Sequence, residues 1–99
     1  MVKRFDVVMM RRDGLEMPCV VVSPDELNEV LPYVLIAPIT VFERAYPTRV
    51  AVGLRGKKGQ IALDMIYTLF KDDIVRKIGC LPEALHEEVV GILGKMFCA

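Results

Sequence analysis

Two oxygen-bearing side chains and a scatter of cations are the residues of this sequence that could do chemistry. Thr40 closes the apolar run YVLIAPIT, and Asp64 interrupts the apolar segment IALDMIYTLF. Arg11-Arg12 and Arg55-Gly56-Lys57-Lys58 read as basic turns, with Arg44 and Arg49 between them. Read as residue types alone, each has an ordinary role. A threonine at a strand end bonds nearby backbone. An acid in an apolar run needs a partner, either a neighbouring loop or an arginine. Basic turns are solvated hairpins, or contacts to phosphate where nucleic acid binds. One position raises a sharper question. Met17 stands at the entrance of the apolar run Cys19–Val22, where an enzyme site would call for charge.

Other chemistries find little support. Cys19, Cys80 and Cys98 are an odd number without a CxxC pair, and His86 is the only histidine, so no metal-ligand spacing appears. A reducing, cytoplasmic setting fits these thiols better than a disulfide framework. Thirteen basic and thirteen acidic residues cancel, so any nucleic-acid contact must come from a local patch. No apolar run approaches the ~20 residues a membrane span needs, and no signal peptide shows.

The elements that must position these residues are short. Phe5–Met10 and Cys19–Val22 read as strands around an Asp13-Gly14 turn. Ser23-Pro24-Asp25-Glu26 reads as a helix start, Ser23 capping and Glu26 completing a capping box, with Pro32 closing the helix. Tyr33–Ile39 is a strand whose Pro38 suggests an edge or a bulge. A loop over residues 41–47 leads to a strand at Thr48–Leu54. Ile61–Phe70 reads as one long strand or two, with Asp64 inside, and Ile74–Gly79 as a strand or 3₁₀ turn. Pro82 to about Phe97 forms a helix with the stripe Leu85, Val89, Ile92, Leu93 and Met96. His86 falls on its polar, exposed side. This order predicts one mainly β domain over residues 1–99, a small, strongly bent sheet or barrel with a short helix and a C-terminal helix. The length and the surplus of apolar residues are compatible with oligomerisation.

The blocks KRFDVV, PCVVVSPDELN, VLIAPIT, YPTRVAV, GKKGQIALD and RKIGCL occur in that order over most of the chain. In wording, order and spacing they resemble the MazF/PemK (Kid-like) toxins of bacterial toxin–antitoxin modules. The resemblance implies an SH3-like β-barrel, a homodimer, and a cognate antitoxin whose flexible tail wraps the toxin. It also implies cleavage of single-stranded RNA without metal or cofactor: the 2′-OH attacks the adjacent phosphate and expels the 5′-oxygen.

Family members place an arginine before the proline of the PCVVV block and a threonine at the end of the APIT block. Thr40 matches; Met17 replaces the arginine. Asp64 matches the start of an Asp-Gln-Ile-Arg block, but Tyr67 stands for its arginine, and Ala62 occupies a place where some members carry another. The loop before Met17 is also short. The segments DMIYTLF and MFCA weakly resemble the gyrase-poisoning relative CcdB, although the chain lacks that protein's Trp-Gly-Ile ending. The resemblance therefore implies an endoribonuclease with Thr40, Asp64 and Arg12 catalytic and Arg11, Arg44, Arg49, Lys57 and Lys58 on RNA. A gyrase-binding toxin and a binding-only homologue are the alternatives.

Overall fold

The computed structural model describes residues 2–41 and 44–98. Phe42 and Glu43 of the expected 41–47 loop, with Met1 and Ala99, lie outside the described residues. Strands β1 (Asp6–Arg12) and β2 (Leu15–Val21) form a hairpin, followed by helix α1 (Asp25–Val30) and β3 (Tyr33–Val41). A second hairpin joins β4 (Arg49–Leu54) to β5 (Lys57–Ala62). Then come a 3₁₀ turn at Leu63–Met65, β6 (Tyr67–Phe70), a 3₁₀ turn at Lys71–Asp73, β7 (Ile74–Cys80), a 3₁₀ turn at Glu83–Leu85 and α2 (His86–Phe97).

Both hairpins close through two residues at positive φ. Asp13 and Gly14 have φ of 52° and 80°, and Arg55 and Gly56 have 51° and 78°. Turns of this kind match the right-handed twist of the strands they join. Lys57 and Lys58 consequently belong to β5 rather than to the turn.

All pairings are antiparallel, in the order β4-β5-β3-β2-β1-β7, with β6 on the first half of β3. Three residues, Lys71–Asp73, link β6 to β7 although these strands bound opposite sides of β3-β2-β1. So short a link forces the five strands β6-β3-β2-β1-β7 to roll into a barrel, whose ladder stays open between β6 and β7. Its interior is Val8, Met10, Cys19, Val21, Val34, Ile36 and Leu69. Burial pushes the Cys19 thiol up to about 12. The β4–β5 hairpin extends from the far half of β3 as a wing. A second core lies beneath it around Val20, Ala37, Val50, Ile61 and Leu63, sealed by Leu85 of the last 3₁₀ turn and by Val89, Ile92, Leu93 and Met96 of α2. The helical stripe is thus the one the 3.6-residue period requires.

Four local expectations are corrected. Ser23 does not cap α1: no side-chain cap bond forms and Pro24 takes the cap position. Its buried hydroxyl instead donates to Asn28 Oδ1 and accepts the Leu35 N–H at 3.1 Å, tying α1 to β3. Pro38 is neither on an edge strand nor at a bulge. It pairs with Cys19 where the other side of β3 passes from β6, ending at Ile36, to β5, beginning at Ile39. The missing N–H falls at that change of partner. Asp64 sits in a 3₁₀ turn between two strands, not within one. His86 is half-buried: its ring stacks on Phe5 at 3.9 Å and Nε2 lies 2.8 Å from the Leu81 carbonyl.

Candidate functional site

β3 sets the site because it belongs to both barrel and wing. Cys19 faces the barrel interior and pairs with Pro38. Two residues on along each strand, beyond the end of that ladder, the alternation places Met17 and Thr40 on the same face. Met17 also pairs with the buried Met10 and is 36% exposed, so it sits at the mouth of the barrel. Tyr67 stands beside it: its hydroxyl donates to Met10 Sδ at 2.9 Å, and the Arg12 guanidinium lies 4.8 Å from its ring centroid. Arg12 is therefore held at the mouth by a cation–π contact.

On the wing, Thr40 pairs with Gln60 and Gln60 with Ala51. Gln60 was not singled out in the sequence, yet it organises this face. Almost fully buried, it donates from Nε2 to the Arg44 carbonyl at 3.1 Å and accepts from Arg49 Nη1 at 3.0 Å. Arg49 in turn donates to both oxygens of Asp64, at 2.6 and 3.1 Å, and Thr48 Oγ1 donates to the same carboxylate at 3.1 Å. Hydrogen bonding from Arg49 is the main reason the Asp64 carboxyl sits below its ordinary range. Tyr46, also unmarked in the sequence, lies under the Arg49 and Arg44 guanidinium groups at 5.2 and 5.8 Å. A polar residue in the run GQIALD was the one sequence signal for Gln60; nothing local marks Tyr46. β5 comes close enough for these contacts because residue 59 is glycine. A Cβ there would stand 3.1 Å from the Thr40 carbonyl oxygen and 3.2 Å from Ile39 Cγ2.

Thr40 Oγ1 is covered and has no hydrogen-bond partner among the described residues. Leaving a buried hydroxyl unsatisfied costs about 1–3 kcal/mol, so this group calls for an explanation.

The structure thus brings together Thr40, Asp64, Arg49 and Arg44, with Lys58 on the same wing face and Arg12 at the barrel mouth. Arg11 and Lys57 alternate to the opposite face. Arg11 bonds Glu16 at 3.2 Å, as Arg76 does at 3.0 Å, and these two arginines, Arg76 foremost, hold the Glu16 carboxyl below its usual range. Lys57 lines a mostly apolar groove with Met9, Pro18, Ile39, Leu54 and Ile78, a groove that Thr40 and Lys58 also border. Among the described residues, no three of His, Cys, Asp and Glu gather as metal ligands would, and no helix is long and apolar enough to cross a membrane.

Barrel, wing and C-terminal helix, with a hydroxyl and several arginines on one face, define a small β-barrel protein with a cluster of polar side chains beside the barrel mouth. The chain belongs to the PemK-like, MazF-like toxins of type II toxin–antitoxin systems, whose family model matches residues 3–97. It is similar to a mycobacterial endoribonuclease in complex with its cognate antitoxin (25% identity, TM-score 0.86, covering 96% of this chain and 93% of that one). It is also similar to a second mycobacterial endoribonuclease structure (26%, 0.82, 95% and 88%). A MazE–MazF structure from Deinococcus radiodurans shares the fold (24%, 0.82, 96% and 93%). No curated protein matches the chain in sequence.

Proposed function

We propose that this toxin is a metal-independent, sequence-specific endoribonuclease acting on single-stranded RNA, a cytoplasmic homodimer restrained by a cognate antitoxin. The endoribonuclease and antitoxin parts draw on the two mycobacterial relatives. The observation that carries the reading is the Thr40 hydroxyl, without a hydrogen-bond partner among the described residues and joined through β5 to the Gln60–Arg49–Asp64 network.

In this reaction the 2′-oxygen forms a bond to phosphorus and the P–O5′ bond breaks. Solvent water takes the proton from O2′ and supplies one to O5′, giving a 2′,3′-cyclic phosphate and a 5′-hydroxyl. Thr40 Oγ1 donates to a phosphoryl oxygen, and Arg12 supplies the cation that Met17 does not. Asp64 is a weak base, because Arg49 keeps it ionised; its role is to aim Arg49. Arg44, Arg49 and Lys58 take flanking phosphates, whereas Arg11 and Lys57 contribute from the far face, where a long strand would have to wrap.

The test is incubation of purified protein with long single-stranded RNA in EDTA. Fragments with cyclic phosphate ends, lost in Thr40→Val, are the expected result. Salt dependence refines it: each phosphate contact gives a log–log slope of about −0.7, so Lys58→Ala should flatten the slope and Lys57→Ala should change it less. RNA binding without cleavage would make the protein a binding-only homologue.

A further inference from the structure

We infer that the barrel face formed by β6, the first half of β3 and α1 is a docking site for a basic amphipathic helix of a partner protein. Tyr33 pairs with Phe70 and Leu35 with Thr68, so these four side chains share one face. It is the exterior face, because Val34, Ile36 and Leu69, which alternate with them, fill the barrel. Helix α1 lies at its margin, and Leu27 and Leu31 meet Tyr33, Leu35 and Thr68 around a pocket of about 290 Å³. Phe70 stands beside it, its ring edge-on to Tyr33 at 5.9 Å. Leu27, Leu35 and Phe70 are exposed, as is Val30 one helical turn on from Leu27. Single exposed apolar residues are ordinary, but a set of them gathered around a concavity marks an interaction surface.

The surroundings of the pocket fix the charge of its occupant. α1 contributes Asp25, Glu26 and Glu29, and the 3₁₀ turn after Phe70 contributes Asp72 and Asp73, all of them exposed. The lysine of that turn is committed to the backbone of α1 and its exit. Lys71 Nζ donates to the Asn28 carbonyl at 2.5 Å, and its N–H donates to the Pro32 carbonyl at 3.0 Å. These two bonds hold the acidic turn against the end of α1. Among the described residues Glu26, Glu29, Asp72 and Asp73 form no ion pair. A chain of zero net charge therefore concentrates acid around this one apolar pocket. Apolar anchors supply the attachment, and the acids select cationic flanks.

A helix fits this surface better than an added strand. Its apolar groups lie on a sheet face and a helix flank, which suits anchors spaced i, i+3 or i+4, and i+7 along an incoming helix. The free edge of β6 is only four residues long, too short to hold a strand by main-chain bonds. A second copy of this chain is a poor occupant. Two-fold pairing of the face would set Glu26, Glu29, Asp72 and Asp73 against their like. The face is also separate from the proposed RNA site: Thr40 lies beyond Leu35 by about 17 Å of β3, at the rise of a strand. The inference therefore stands whether or not the chain cleaves RNA.

The experiment titrates the full chain with a blocked peptide of leucine and lysine in helical period, about fourteen residues or roughly four turns long. Two controls are the same peptide with glutamate for lysine, and the same residues in strict alternation, which gives no apolar helical face. NMR amide shifts at Leu27, Leu35, Thr68 and Phe70 should move with the first peptide and stay still with both controls. Affinity should fall tenfold or more in Glu26→Lys/Glu29→Lys, and it should weaken as salt rises. Leu35→Lys, which sets a cation in the pocket, should abolish binding. Both altered positions are exposed, and the α1 double variant carries the test if Leu35→Lys disturbs β3. Shifts confined to other faces, equal affinity for either control, unchanged affinity in the α1 variant, or no binding at all would each overturn the proposal. Shifts at these four amides that follow protein concentration alone would overturn it as well, assigning the face to a second copy.

Discussion

Arg49 grips the Asp64 carboxylate at two points, Nε on Oδ1 at 2.6 Å and Nη2 on Oδ2 at 3.1 Å, while its third nitrogen holds Gln60. This relationship joins two residues that sequence reading placed in separate roles, one as an acid and one as an RNA contact. The structure makes them one hydrogen-bonded unit.

Asp64→Asn tests that unit. If Asp64 aims Arg49, cleavage should fall by less than about tenfold, because the amide oxygen still accepts from Arg49; a true general base would cost ~10²–10⁴. Its pKa is lowered in the fold, so its stabilisation is present above the ordinary aspartate value of about 3.9 and is lost as pH falls through the folded value. The wild type should therefore exceed the variant in urea stability at neutral pH, by no more than about 1 kcal/mol given the partial exposure of the pair. The two curves should converge under acid. Parallel curves would show that Asp64 does not titrate differently in the fold.

Met17→Arg should raise RNA cleavage on the order of 10²-fold, the reverse of losing one preorganised donor. The site is ready for it: residue 17 is partly exposed at the barrel mouth and shares a face with Thr40. Met17→Lys should gain less, lacking the planar fork. Flat kinetics in a folded variant would mean that Arg12, already at the mouth on Tyr67, fills the role.

Gly59→Ala should destabilise the protein by about 1–3 kcal/mol, since the new methyl meets the Thr40 carbonyl and Ile39 at 3.1 and 3.2 Å in a packed region. Thermal unfolding measures this. A change within error would show that β5 can move off β3 freely.

The protein should be a dimer, with a light-scattering mass at micromolar concentration near twice the 11.1 kDa of one chain. Exposed Leu15, Met65 and Phe97 supply apolar surface that a monomer leaves in water. A mass of one chain would remove the claim.

The fold was legible where period and turn chemistry agree. Asp13-Gly14 placed the first hairpin, and the spacing of Leu85, Val89, Ile92, Leu93 and Met96 placed the core-facing stripe of the C-terminal helical segment. It was less legible where long-range contacts override local signals. Ser23 looks like a cap, but a buried bond to Asn28 claims its hydroxyl. Pro38 looks like an edge residue, but a change of strand partner shelters it. Thr40, Asp64 and the arginines could be named from family wording, yet the one local hint of Gln60 is a polar residue in the run GQIALD, and nothing local marks Tyr46. Arg11 and Arg12 read as part of a turn, whereas β1 runs through Arg12 and its alternation turns them to opposite faces.

The three-residue link between β6 and β7 has a bearing on how the molecule assembles in time. β1 pairs with β2 at once but with β7 only across nearly the whole chain. Topologies dominated by such distant pairings fold slowly, in milliseconds to seconds. As the chain leaves the ribosome, the outer edge of β1, with Val7, Val8 and Met10, waits unpaired until the last quarter of the protein has been made. The barrel therefore gains its last strand only late in synthesis, just before α2, which seals the second core, has been made.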